Sequence, residues 1–61
     1  MNAVKTGNKV AWKTPRQVVM GTVEEVTGTR AIVRVTGWDR RGQWKVGDRV
    51  STVVSGLQIM S

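Results

Sequence analysis

The sequence predicts an all-β fold, a small barrel of roughly five to six short strands in a single domain over residues 1–61. Three observations predict it. Valine dominates the apolar residues, and the apolar stretches are short and broken by Gly or Thr. No segment sustains the 3.6-residue period of an amphipathic helix. Of seven glycines, six fall in the turns or loops expected between strands.

The first strand is expected over Asn8–Lys13, fed by a turn at Gly7. Val10 and Trp12 point to the core, and Lys9, Ala11 and Lys13 point away. Thr14-Pro15-Arg16-Gln17 is a loop, because Pro15 cannot donate to a ladder and holds its predecessor extended. A long second strand is expected over Val18–Thr27. Val19, Gly21 and Val23 share one face, but Val26 has the opposite parity. A bulge near Glu24-Glu25 is expected to return Val26 to the core. Gly21, in mid-strand, marks a bend where another backbone comes close.

Thr27-Gly28-Thr29 is a hairpin turn. The third strand follows over Arg30–Thr36, with Ala31, Val33 and Val35 inward and Arg30, Ile32 and Arg34 outward. Gly37 to Gly42 is a loop, followed by Gln43-Trp44-Lys45. A fourth strand is expected over Arg49–Val54 after Gly47-Asp48. Ser55-Gly56 turns the chain into a short last strand, Leu57–Met60, with Leu57 and Ile59 on one face. Gly7-Asn8-Lys9-Val10 echoes Gly47-Asp48-Arg49-Val50, each a turn feeding a strand, and shared turn chemistry accounts for the echo.

A chain of 61 residues buries only roughly 60% of the surface that its unfolded form exposes, so the core must be small. Cysteine and histidine are both absent. That removes disulfides, thiolate-bound metals, the commonest metal ligand and the commonest general base. Glu24 and Glu25 are adjacent, so on a regular strand they point to opposite faces and do not converge on one bond as an acid/base pair must. They are expected to face solvent or to partner nearby arginines. Asp39 and Asp48 read as turn residues, Asp39 with Arg40 or Arg41 as alternative partners. No catalytic residue, cofactor or metal is expected. The longest run of large apolar residues is Val18-Val19-Met20, far short of the about 20 that a membrane helix needs. With no signal peptide after Met1 either, the expectation is a cytoplasmic protein.

Charge is the strongest compositional signal. Ten Lys and Arg oppose four acids, a net charge of +6. A balance this basic is the electrostatic footprint of a nucleic-acid binder, although excess charge also serves solubility. Trp38-Asp39-Arg40-Arg41-Gly42-Gln43-Trp44 is the leading candidate site. Indole faces stack on unpaired bases, and arginines contact phosphates. The alternative is that one Trp caps the core while the arginines are merely solvated. Arg30 and Arg34, with Lys9 and Lys13, form a basic stripe if their strands are neighbours.

Gly7-x-x-Val10-x-Trp12, Gly21-x-Val23-x-x-Val26, Ala31-x-Val33-x-Val35 and Ser55-Gly56-Leu57 together resemble the SH3-like small barrels, nearest to the KOW and Tudor-like modules. Fold analogy alone does not give function. Three functions follow from these readings. The first is nucleic-acid binding, DNA or RNA, with Lys9, Lys13, Arg30, Arg34, Arg40, Arg41 and Lys45 on phosphates and Trp38 and Trp44 on bases. The second is recognition of a protein. An acidic partner suits the charge, and Tudor-like modules use aromatic cages, for which Trp12, Trp38 and Trp44 are the available rings. The third is enzymatic. Leu57-Gln58-Ile59-Met60 is similar, in Gln58 and Ile59, to the Val-Gln-Ile-Tyr segment of the plasmid-encoded SH3-like dihydrofolate reductases, which would imply folate and nicotinamide binding. Oligomeric state stays open, since short edge strands can pair between copies.

Overall fold

Valine-rich alternation is realised as one antiparallel sheet. The computed structural model describes residues 4–40, 42 and 44–60. The strands are β1 (Lys9–Lys13), β2 (Val18–Thr27), β3 (Arg30–Trp38), β4 (Arg49–Val53) and β5 (Gln58–Ile59), with a single 3-10 turn, Val54–Gly56, before the last. The sheet order is β4-β3-β2-β1-β5. The all-β class is therefore the expected one. Barrel closure is not: β4 and β5 lie at opposite edges of the sheet, with no ladder between them among the described residues.

The core follows the expected parity. Val10, Val19, Val23, Val33 and Val35 are fully buried, joined by Ala31, Trp12 and Leu57. Each fully buried valine contributes about 1.5–3 kcal/mol of transfer free energy, which is how so short a chain assembles a core. Two bulges bend the sheet. In the first, Val23 pairs with Val33 but Glu25 pairs with Ile32, so Glu24 is the extra residue. In the second, Met20 pairs with Gly37 but Gly21 pairs with Val35, so Thr36 is extra on β3. Between them Gly21 makes the expected close approach. A Cβ there would overlap the Arg34 carbonyl oxygen and Cγ1 of Val33.

Four expectations need correction. The first bulge does set Val26 opposite the buried Ala31, but at the end of the sheet Val26 stays 37% exposed and outside the core. Ala11 lies outside the core cluster yet is buried, because β1 is flanked on both sides and pairs it with Met20 and Gln58. β3 runs on to Trp38, since Gly37 and Trp38 pair with Met20 and Val19 instead of forming a loop. Val54, Leu57 and Met60 fall outside the strands, and the last strand is Gln58–Ile59 alone. Leu57 nevertheless reaches the core.

The echoed segments adopt one local structure. Gly7 and Gly47 have φ of +93° and +97°, a region open to glycine and strained for other residues. The Lys5 amide donates to Asn8 Oδ1 at 2.7 Å, and the Lys45 amide to Asp48 Oδ2 at 2.9 Å. Gly7 N donates to Val23 O and Gly47 N to Val35 O, each at 2.8 Å. The Asn8 and Asp48 carbonyls accept from the same two valines in return. Each turn is thus pinned to the backbone of a buried valine, one feeding β1 and the other β4.

Candidate nucleic-acid interface

Seven of the nine described cations fall in two places, and their surroundings differ. The first is the outer face of the sheet. The expected stripe of Lys9 and Lys13 beside Arg30 and Arg34 does not form as such, because β2 lies between β1 and β3. The register instead aligns Lys9, Thr22, Arg34 and Arg49 in a row across four strands. Directly paired residues share a face, so these side chains lie on the same side of the sheet. Arg34 and Arg49 are engaged. Each donates through Nε, at 2.7 Å, to a different carboxylate oxygen of Glu24. The Glu24 carboxyl is held below its usual range, first by the Arg49 hydrogen bond and then by that of Arg34. Arg30 donates from Nε to Ser51 Oγ at 3.1 Å, and from a terminal nitrogen to the Ser51 carbonyl at 3.4 Å. Glu25 is exposed.

The second place is the loop end, around Thr14–Gln17. Thr14 organises this loop. Its hydroxyl accepts from the amides of Arg16 and Gln17, at 3.3 and 3.1 Å, and donates to the Gln17 carbonyl at 3.0 Å. The Gln17 side chain is buried and donates from Nε2 to the Arg40 carbonyl at 3.1 Å. Asp39 Oδ1 accepts from the Val18 amide at 2.8 Å, and Asp39 N donates to the Val18 carbonyl at 3.1 Å. Asp39 therefore ties the segment after β3 to the start of β2, and pairs with no arginine side chain among the described residues, Arg41 lying outside them. Gly42 lies directly on Gln17, where a Cβ would overlap the side-chain amide. The backbone on both sides of the loop is thus fixed, while the side chains of Arg16 and Arg40 extend into solvent.

Two depressions flank this loop. A groove of about 640 Å³ is lined by Thr14, Pro15, Arg16, Gln17, Gly42 and Trp44. A notch of about 190 Å³ has Lys13, Arg16 and Arg40 in its walls, with Asp39 and the loop backbone. The side chains of Lys13, Arg16 and Arg40 make no ion pair or hydrogen bond with any described residue.

Neither candidate stacking tryptophan is fully exposed. Trp38 ends β3 opposite Val19 and is half-buried against the core. Trp44 is also half-buried, edge-on to the buried Trp12 with ring centroids 5.9 Å apart and planes at 62°. An exposed loop carrying both indoles is therefore corrected to two half-buried indoles, of which Trp44 forms part of the wall of a groove. Lys45 is exposed and begins the second echoed turn. Arg41 lies outside the described residues.

Arg16 and Arg49 were not among the residues expected at a site. Arg16 had a signal, a cation beside Pro15 in an obligatory loop. Arg49 had none, since its partner Glu24 is 25 residues away in sequence. Among the described residues no helix is long and apolar enough to cross a membrane. No family model, curated protein or solved structure matches this chain.

Proposed function

We propose that the chain is a non-enzymatic module that binds nucleic acid, DNA or RNA, at the loop end of its sheet. One observation carries the reading. Lys13, Arg16 and Arg40 line one notch with no partner among the described residues, beside a groove walled by Trp44. Unpaired cations around a concave surface attract phosphates and release counterions when they meet them. The net charge of +6 supplies long-range attraction of the same sign. The five-stranded antiparallel sheet is compatible with a small barrel-like fold, the class whose SH3-like members the sequence resembles. Fold likeness does not choose the ligand, and the cations do that.

The test is a titration of fluorescent single-stranded and duplex oligonucleotides at low and near-physiological salt. Micromolar or tighter binding that weakens steeply as salt rises is the expected result. Binding indifferent to salt, or none at low salt, contradicts the reading and redirects the notch to an acidic protein surface.

A further inference from the structure

The groove and the notch share the Thr14–Gln17 loop, and Arg16 lines both. Two of the polar side chains that line the groove, Thr14 and Gln17, are already engaged. Thr14 Oγ1 is used within its own loop, and Gln17 Nε2 is used on the Arg40 carbonyl. Among the described residues, the remaining ligand-facing surface is the prolyl ring of Pro15, the open part of Trp44 and the Arg16 side chain. Reading a base edge requires a side chain with hydrogen-bonding capacity to offer, as Asn or Gln does to adenine. Of the described lining, Arg16 has that capacity, toward guanine, and it also lines the notch where a phosphate engages it; the rings offer stacking, and every base has a face to stack. Bases within a duplex keep their faces covered by their neighbours. Only an unpaired base can enter beside Trp44, whose orientation is set by the edge contact with Trp12.

On the reading that the chain binds nucleic acid, we infer that its ligand is single-stranded and is bound with little discrimination among bases: a phosphate sits in the Lys13–Arg16–Arg40 notch and an adjacent base stacks in the Trp44 groove. Arg16 is the residue common to both seats. Its side chain lies between the phosphate and the base.

The experiment uses the full chain and oligothymidylate, oligocytidylate and oligoadenylate of about 16 nucleotides, the upper end of a single small fold's site size, with a mixed-sequence duplex of the same length. Single strands are expected to bind at least about tenfold more tightly than the duplex, the gain of one stacked base. The three compositions are expected within about fivefold of one another, because stacking strength varies only modestly. Arg16→Gln and Arg40→Gln are each expected to weaken single-strand binding about three- to tenfold and to lower the salt slope by about 0.7, one phosphate contact on a single strand. Arg30→Gln, on the sheet face, is expected to change affinity less than about twofold. Duplex binding equal to or tighter than single-strand binding overturns this inference and leaves the nucleic-acid reading standing. So does a preference above about tenfold for one composition, which would mean that base edges are read. Absence of binding to every oligonucleotide at low salt overturns both.

Discussion

The sheet face presents four described cations, three of them engaged, whereas the three at the loop end have no partner among the described residues. On the sheet face Arg34 and Arg49 share Glu24, and Arg30 is bonded to Ser51. At the loop end Lys13, Arg16 and Arg40 share a notch with no described partner, while their backbone is fixed by Thr14, Gln17 and Asp39. Composition counts these side chains as equals. Pairing separates them, because a guanidinium already held by a carboxylate must give up that bond before it can bind a phosphate. The exposed Glu24 bridge adds little to stability, as surface ion pairs do, but it reduces the net positive charge of the face on which it lies.

Two glycines sharpen the comparison, because each admits a close neighbour under one of the two regions. Gly21, below the sheet face, meets the backbone of Arg34 and the core side chain of Val33, and neither has room to yield. Gly21→Ala is expected to cost about 1–3 kcal/mol in urea unfolding, the range for overpacking a tight site. Gly42 meets only the side-chain amide of Gln17. Gly42→Ala is expected to displace that amide from the Arg40 carbonyl, with a loss of about 0.5–1.5 kcal/mol for one hydrogen bond. The two variants should therefore rank oppositely: Gly21→Ala lowers the unfolding midpoint more, and Gly42→Ala lowers oligonucleotide affinity more. The same order in both assays would break the distinction between the regions.

Charge removal tests it next. The double variant Arg16→Gln/Arg40→Gln is expected to lose about tenfold or more in affinity at low salt, and Arg30→Gln/Arg34→Gln less than about threefold. Equal losses would mean that total charge matters and location does not. Glu24→Gln is a smaller perturbation in the other direction. It removes one negative charge and releases both arginines, so affinity should rise less than about threefold and only at low salt.

Acid titration gives the smallest effect. The folded-state pKa of Glu24 is lowered from 4.5, by its hydrogen bonds to Arg49 and then Arg34. Between that lowered value and 4.5 the unfolded chain binds the proton more readily than the folded one. The contribution of Glu24 to stability is therefore complete above pH 4.5 and is lost as pH falls through the folded pKa. Thermal unfolding as a function of pH should show this acid-side slope in the native chain and a reduced one in Glu24→Gln.

The strand ladder was legible because parity is local. Val19, Gly21 and Val23 shared a face in the sequence, and the parity slip at Val26 marked the Glu24 bulge at its observed place. The echo of Gly7-Asn8 in Gly47-Asp48 was legible too, and both segments form the same valine-pinned turn. Strand adjacency was not legible. Lys9 and Arg34 belong to one face, but whether β2 lies between their strands depends on topology rather than on parity. The Thr36 bulge was missed because Gly37 reads as a loop residue, whereas here it pairs with Met20 and carries β3 on to Trp38. The candidate site was only partly legible, for a similar reason. Indole and guanidinium groups are visible in a sequence, but the contact of Trp44 with Trp12 and the bridge from Glu24 to Arg49 are made by folding.

Location is the central claim, and amide and indole chemical-shift mapping during titration with an unlabelled oligothymidylate tests it most directly. The account predicts that shifts concentrate at Lys13 to Gln17, Arg40, Gly42 and the Trp44 indole N–H, with Arg30 to Arg34 and Arg49 to Val53 nearly unmoved. Shifts centred on the sheet face, with the Trp44 indole unchanged, would contradict it.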